Sequence, residues 1–149
     1  MKELEIGAEL ENMEMARSYV TEQLEEAGFG PKQIMEVELA VEEIFCNIAN
    51  YAYKPEKGDV LIRCEVTETD KCRITIEFID KGTPYNPLER KDPDLTLGPE
   101  EREIGGLGIF LSKALTDSMS YRYEDGKNIL VITKEKAEEI KDSVIYQCK

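Results

Sequence analysis

The chain has 149 residues, 41% hydrophobic and 34% charged, with a formal net charge of −13. That is the composition of one soluble globular domain with a sizeable core, and the acidic excess disfavours nonspecific contact with nucleic acid or an anionic membrane. Histidine is absent, which excludes His-based triads, His general bases and His metal sites together.

Taken in order, Leu4, Ile6 and Ala8 alternate with charged residues and predict a short strand. Residues 11–27 read as an amphipathic helix with Met15, Tyr19 and Leu24, and with Met13, Ala16 and Val20, at apolar positions. Gly28 and Gly30 stop it, and Pro31 opens a second helix that ends before Lys54-Pro55. In that helix Val37, Val41, Ile44 and Ile48 share one face, while Glu38 and Glu42 mark the charged exterior. Glu43 and Asn47 are four residues apart and stack on consecutive turns. Asn50 and Tyr51 continue that polar stripe, which lies between the apolar face and a flank carrying Leu39 and Cys46. A carboxylate and an amide at a core boundary need partners, since burying them unpaired costs a few kcal/mol. From this helix alone the simpler reading is an edge glutamate and an asparagine bonded to nearby backbone.

Gly58-Asp59 marks a turn, and residues 60–66 and 72–79 predict two antiparallel strands joined at residues 69–71. Residues 80–87, DKGTPYNP, form a turn-rich strand exit, and residues 88–104 show no clear period and read as a long loop. Gly105-Gly106-Leu107-Gly108 then enters a helix. Residues 119–123 and 128–133 are strand-like and joined through Asp125-Gly126, a hairpin signal. Residues 134–142 predict a short helix, and 143–149 a tail. No apolar run approaches the ~20 residues of a membrane span, and the N-terminus has no signal-peptide core. The expected location is therefore the cytoplasm. The four cysteines, Cys46, Cys64, Cys72 and Cys148, lack CxxC spacing and read as reduced thiols, Cys46 and Cys64 as packing residues.

Three segments can support chemistry. A glycine run entering a helix offers successive backbone N–H groups and a favourable dipole to an anion, although such a run alone more often makes a tight turn. It is neither a Walker A loop nor a dinucleotide fingerprint. Asp80 at a strand end can accept a hydrogen bond from an exocyclic amine such as that of adenine, with Gly82 keeping the backbone clear of the ring. It could equally cap the following turn. Glu43 with Asn47 offers a base and an uncharged oxygen ligand one turn apart, a combination that suits magnesium and phosphates.

In this order and spacing, Glu43-Ile-Phe-Cys-Asn47, Asp80-x-Gly82-x-Pro-Tyr85-Asn86-Pro87 and Gly105-Gly-Leu-Gly-Ile-Phe-Leu111 resemble the N box and the two glycine boxes of the histidine-kinase-like (GHKL, Bergerat-fold) ATPases. Within these they look like the serine-kinase anti-sigma factors. Tyr85 and Asn86 replace the Phe and Asp of the family pattern. The resemblance covers about residues 2–134. It implies an α/β (α+β) two-layer sandwich, a mixed, largely antiparallel sheet with helices on one face, formed by residues 1–149 as a single domain. It implies a lid at about residues 88–104. It makes Glu43 the general base and Asn47 the magnesium ligand. Asp80 becomes the adenine-reading carboxylate, with Gly82 beside it, and Gly106, Leu107 and Gly108 the phosphate-binding backbone. ATP and Mg2+ are the implied substrate and cofactor. Arg102 could reach a phosphate or be a solvated lid residue. The family often has a threonine near the adenine in the last hairpin, but here that strand begins Asn128-Ile129 and the contact stays unassigned. Without histidine the chain cannot phosphorylate itself on that residue. The expected function is an ATP-dependent protein-serine kinase that binds a sigma factor and phosphorylates an anti-anti-sigma antagonist, with a homodimer suggested and no direct contact to nucleic acid or membrane. An ATP-binding partner-switching module without kinase turnover is the alternative.

Overall fold

The computed structural model describes residues 1–89 and 106–137. Five strands, β1 (Lys2–Gly7), β2 (Asp59–Glu68), β3 (Cys72–Asp80), β4 (Ser118–Glu124) and β5 (Lys127–Glu135), form one sheet in the order β1-β2-β3-β5-β4. Every neighbouring pair is antiparallel, the character expected of the sheet, and among the described residues no pair is parallel. Helices α1 (Met13–Glu26), α2 (Pro31–Asn47) and α3 (Gly106–Leu115) supply the second layer.

Strand alternation sends Val60, Ile62 and Cys64 of β2, Ile74, Ile76 and Phe78 of β3, and Leu130 and Ile132 of β5 into one buried cluster. Helix α2 lays Val37, Ala40, Val41, Ile44 and Phe45 onto the same cluster, each at most 1% exposed. In α1 the inward stripe is Ala16, Val20 and Leu24, four residues apart. Met15, expected among the apolar positions, is 52% exposed, because the stripe at i, i+4, i+8 leaves it on the outer side. Gly28, with φ +83°, ends α1 in a left-handed cap whose Phe29 N–H bonds Leu24 O. That turn delivers Phe29 to the core.

Glu38 and Glu42 do not mark a free exterior. Thr21 donates to Glu38 at 2.9 Å and Arg17 to Glu42 at 2.7 Å, so both carboxylates flank the α1–α2 seam. Lys134 and Glu135, expected to open a helix, instead finish β5; residues 138–142 of that expected helix lie outside the described residues, as do 90–104 of the expected lid, Arg102, Gly105 and the tail. Residues 87–89, the loop's first part, form a single 3-10 turn. The Asp125-Gly126 hairpin stands as expected, with both φ angles positive.

Cys46, Cys64 and Cys72 are free thiols. Cys64 pairs across the hairpin with Ile76 and Cys72 with Glu68, and burial pushes the Cys64 thiol up to about 12. It is a packing residue. Cys46 is half-buried rather than fully packed.

Two polar side chains tie the layers together at the far end of the sheet. The Gln33 amide of α2 donates to Glu135 O and accepts from Ala137 N, as a strand would. Lys134 points inward from β5, donates to Leu115 O at 2.6 Å and lies 3.8 Å from Glu36. A cation on the last carbonyls of a helix satisfies an orphan acceptor and complements the dipole. Lys134→Met, which keeps the stem and removes the charge, should lower stability by about 1.5–3 kcal/mol and speed amide exchange in α3. Unchanged urea midpoints would show that the ammonium contributes nothing there.

Candidate nucleotide site

The site begins with α2. An α-helix that seats Val37, Val41 and Ile44 on a sheet must bring residues 43 and 47 out on its flank. Both are half-buried there. Asn47 lines a cavity of about 400 Å³ that opens between α2, the sheet and residues 83–87. That volume is in the range that holds a nucleotide-sized ligand. Asp80, at the end of β3, lines the same cavity, and Ile44, Ile48, Phe78 and Leu130 give it apolar walls.

Glu43 does not line the cavity. Its carboxylate lies against Gly108 in the first turns of α3, so closely that a Cβ on Gly108 would overlap it. Burial pushes the Glu43 carboxyl up from its ordinary value. The glycine run therefore has a local reason independent of any ligand: only a residue without a side chain lets the α2 carboxylate reach α3. Gly106 and Leu107 form the first turn of α3. Ser112 donates to Gly108 O and Thr116 to Ser112 O, bonds that brace the helix interior.

Between α2 and Tyr53 the chain makes a π-helical turn, Ile48–Ala52, which the sequence reads simply as more helix. Wide turns of this kind are rare and concentrate at functional sites. Here the turn delivers the Ala52 carbonyl to the exit of β3, where Thr83 N–H bonds it at 2.8 Å. A Cβ on Gly82 would collide with that same carbonyl. Gly82 is thus required by backbone against backbone, whereas the sequence suggested clearance for a ligand ring. Tyr53 closes the junction by donating to Asp59 O and accepting from Lys81 N.

Asp80 is 5% exposed. Its Oδ1 accepts from Gly82 N and from Asn128 Nδ2, both at 2.9 Å. Burial raises its carboxyl above the ordinary aspartate value, opposed by these two bonds. Asn128 is the residue the sequence reading left unassigned. It shares the inward parity of Leu130 and Ile132 on β5, so an amide on the buried side of an alternating strand was the available signal. Tyr85 presents its N–H to Asn128 Oδ1. Asn86 accepts from Leu88 N at 2.9 Å, a turn an aspartate would make equally, so the two departures from the family pattern leave this loop closed.

The donor set suits one hard cation shared with phosphates. No hydrogen-bond partner reaches the Asn47 side chain among the described residues, and these contain no group of three or more Cys, Asp or Glu side chains able to cage a metal. One amide oxygen, completed by water and phosphate oxygens, is what magnesium accepts readily.

Gly82→Ala should cost about 1–3 kcal/mol, because the methyl meets a backbone carbonyl that cannot rotate away, and it should widen the cavity end held by Asp80. Wild-type unfolding midpoints for this variant would contradict the close approach.

Comparison with known proteins agrees with this geometry. The profile of the Histidine kinase-like ATPase domain matches residues 6–134. The chain is 30% identical over 139 residues to a protein named serine-protein kinase RsbW from Listeria innocua, covering 88% of this chain and 84% of that protein. It is 29% identical over 140 residues to one named anti-sigma F factor from Clostridium acetobutylicum, covering 94% and 96%. Among solved structures, the RsbU and RsbW domains of a Mycobacterium tuberculosis protein superpose with a TM-score of 0.60 at 15% identity, over 93% of this chain and 34% of that longer one; that likeness concerns the fold. With a matched profile over most of its length, this chain belongs to the histidine kinase-like ATPase domain family.

Proposed function

We propose that the protein is an ATP-dependent protein-serine kinase acting as an anti-sigma factor. It binds a sigma factor, and it transfers the γ-phosphoryl group of ATP to a serine of an anti-anti-sigma antagonist. The observation that carries the reading is the convergence of Asn47 and Asp80 on one cavity while Glu43, one turn from Asn47, reaches the glycine-led start of α3. The names of the relatives, serine-protein kinase RsbW and anti-sigma F factor, support the same reading.

In this reading the adenine end lies at Asp80 and the phosphates run towards Asn47 and the backbone of Gly106, Leu107 and Gly108. Asn47 would hold magnesium, which supplies charge neutralisation on the phosphates when bound. Glu43 takes the proton of the serine hydroxyl as the serine oxygen bonds to the γ-phosphorus. The bond from that phosphorus to the β–γ bridging oxygen breaks, ADP leaves, and phosphoserine remains. A carboxyl raised by burial is a stronger base than a free glutamate and comes nearer to the working pH. Net charge and the absence, among the described residues, of a helix long and apolar enough to cross a membrane support a cytosolic regulator that works through protein partners, and a second copy of the chain is a candidate among them.

The central test is phosphotransfer from magnesium-ATP to the antagonist, read as phosphoserine by mass spectrometry. Glu43→Gln should reduce transfer by about 10²–10⁴-fold with ATP affinity largely kept; transfer at the wild-type rate removes Glu43 from the mechanism. The same variant should melt at a higher temperature at pH 7. A carboxyl raised in the folded state favours folding only while protonated, and that contribution is lost as pH rises through the folded value. A lower melting temperature would mean that the carboxylate is held by a partner group rather than strained by burial.

The pH profile follows from the same shift. Single-turnover transfer should fall on the acid side as Glu43 protonates, with the midpoint displaced above the ordinary glutamate value. A flat profile across that range would mean that no buried carboxylate takes the proton.

A further inference from the structure

Asn128 is the most completely bonded polar side chain in the cavity wall. Its Nδ2 donates to Asp80 Oδ1 at 2.9 Å and to Thr83 O at 3.0 Å, with Gly82 O at 3.4 Å. Its Oδ1 accepts from Tyr85 N at 3.2 Å and from the Tyr121 hydroxyl. A side-chain amide has two N–H groups and two acceptor positions, and here all four are used. The orientation of the amide is fixed by its neighbours. Turned over, it would set an oxygen against a carboxylate and a carbonyl, and an NH2 group against the Tyr85 N–H.

Those partners come from three parts of the chain, β3, the 82–85 segment and β4, and all meet on β5. The amide is 6% exposed, so each bond forms out of water and its loss would leave a buried group unpaired. The consequence falls on Asp80. Oδ1 is saturated by Gly82 and Asn128, and no hydrogen bond among the described residues reaches Oδ2. Asp80 and Asn128 both line the cavity.

We propose that Asn128, held by Tyr121 and the Tyr85 N–H, is the positioning residue for base selection: it locks Asp80 through Oδ1 so that Oδ2 is the single acceptor offered to an exocyclic amine. This rests on the reading of the cavity as an ATP site. Asn128 need not touch the base. Its work is to stop the carboxylate from rotating about χ2 and sharing its charge with the loop. A purine without the 6-amino group would leave Oδ2 desolvated and unpaired, and such mismatches are discriminated strongly.

The test compares magnesium-ATP with the magnesium complex of purine riboside triphosphate, which lacks only that amine, by calorimetric titration of the full chain. The wild type should prefer ATP by about tenfold or more. Asn128→Ala should bring the ratio close to one, chiefly by weakening ATP. Tyr121→Phe keeps the ring and removes only the hydroxyl that holds Asn128, and it should compress the ratio several-fold in the same direction. If Asn128→Ala does not fold, the Tyr121→Phe ratio decides. A purely structural role would weaken both nucleotides equally and leave the ratio intact, and that result overturns the proposal. Wild-type protein that binds both without preference also overturns it while leaving a nucleotide site in place. Wild-type protein that binds neither removes the ATP reading itself, and the proposal with it.

Discussion

The fold turns on the seating of α2 against the sheet. Val37, Val41, Ile44 and Phe45 are sealed against β2, β3 and β5, and full burial of each is worth about 1.5–3 kcal/mol. Once that stripe is seated, helical geometry leaves no choice about its margin. Glu43 and Asn47 must emerge side by side, Glu43 towards α3 and Asn47 over the open space above Phe78. The edge carrying Glu43 and Asn47 is a by-product of the packing edge, so the same contacts that stabilise the domain also aim these two side chains.

The site spends part of that stability. Glu43 and Asp80 are both carboxyls whose protonated forms are favoured by burial. Asp80 is compensated by two donors, whereas the Glu43 carboxyl is raised by burial. The two acids therefore differ in kind. One is fixed and ready to accept a hydrogen bond, the other is left strained and ready to accept a proton. In the proposed function, such a division would assign recognition to Asp80 and proton transfer to Glu43.

Much of this was legible in the sequence because it depends on local period. The apolar stripe of α2, the β2–β3 hairpin and the Asp125-Gly126 turn each follow from spacing or from residues that tolerate positive φ. The three boxes placed Asn47 and Asp80 on what proved to be one cavity. What could not be read depends on partners distant in the chain. Glu38 and Glu42 look like surface residues until Arg17 and Thr21 are brought alongside. Gly82 looks like a ligand clearance until the Ala52 carbonyl is seen against it. Asn128 was left unassigned because the family pattern has a threonine there, and only its parity with Leu130 betrays that it faces inward. The wide turn at 48–52 has no signature in its residues, Ile48, Ala49, Asn50, Tyr51 and Ala52, none of which is glycine or proline.

A π-helical turn holds one more residue than an α-helical one would need. It acts as a phase adjuster between α2 and everything downstream. It takes up one residue that an uninterrupted α-helix could accept only by rotating the following backbone by roughly 100°. The Ala52 carbonyl would swing away from Thr83, and Tyr53 would leave its seat between Asp59 and Lys81. The wide turn therefore lets α2 keep its seat on the sheet while the Ala52 carbonyl still meets Thr83 N–H.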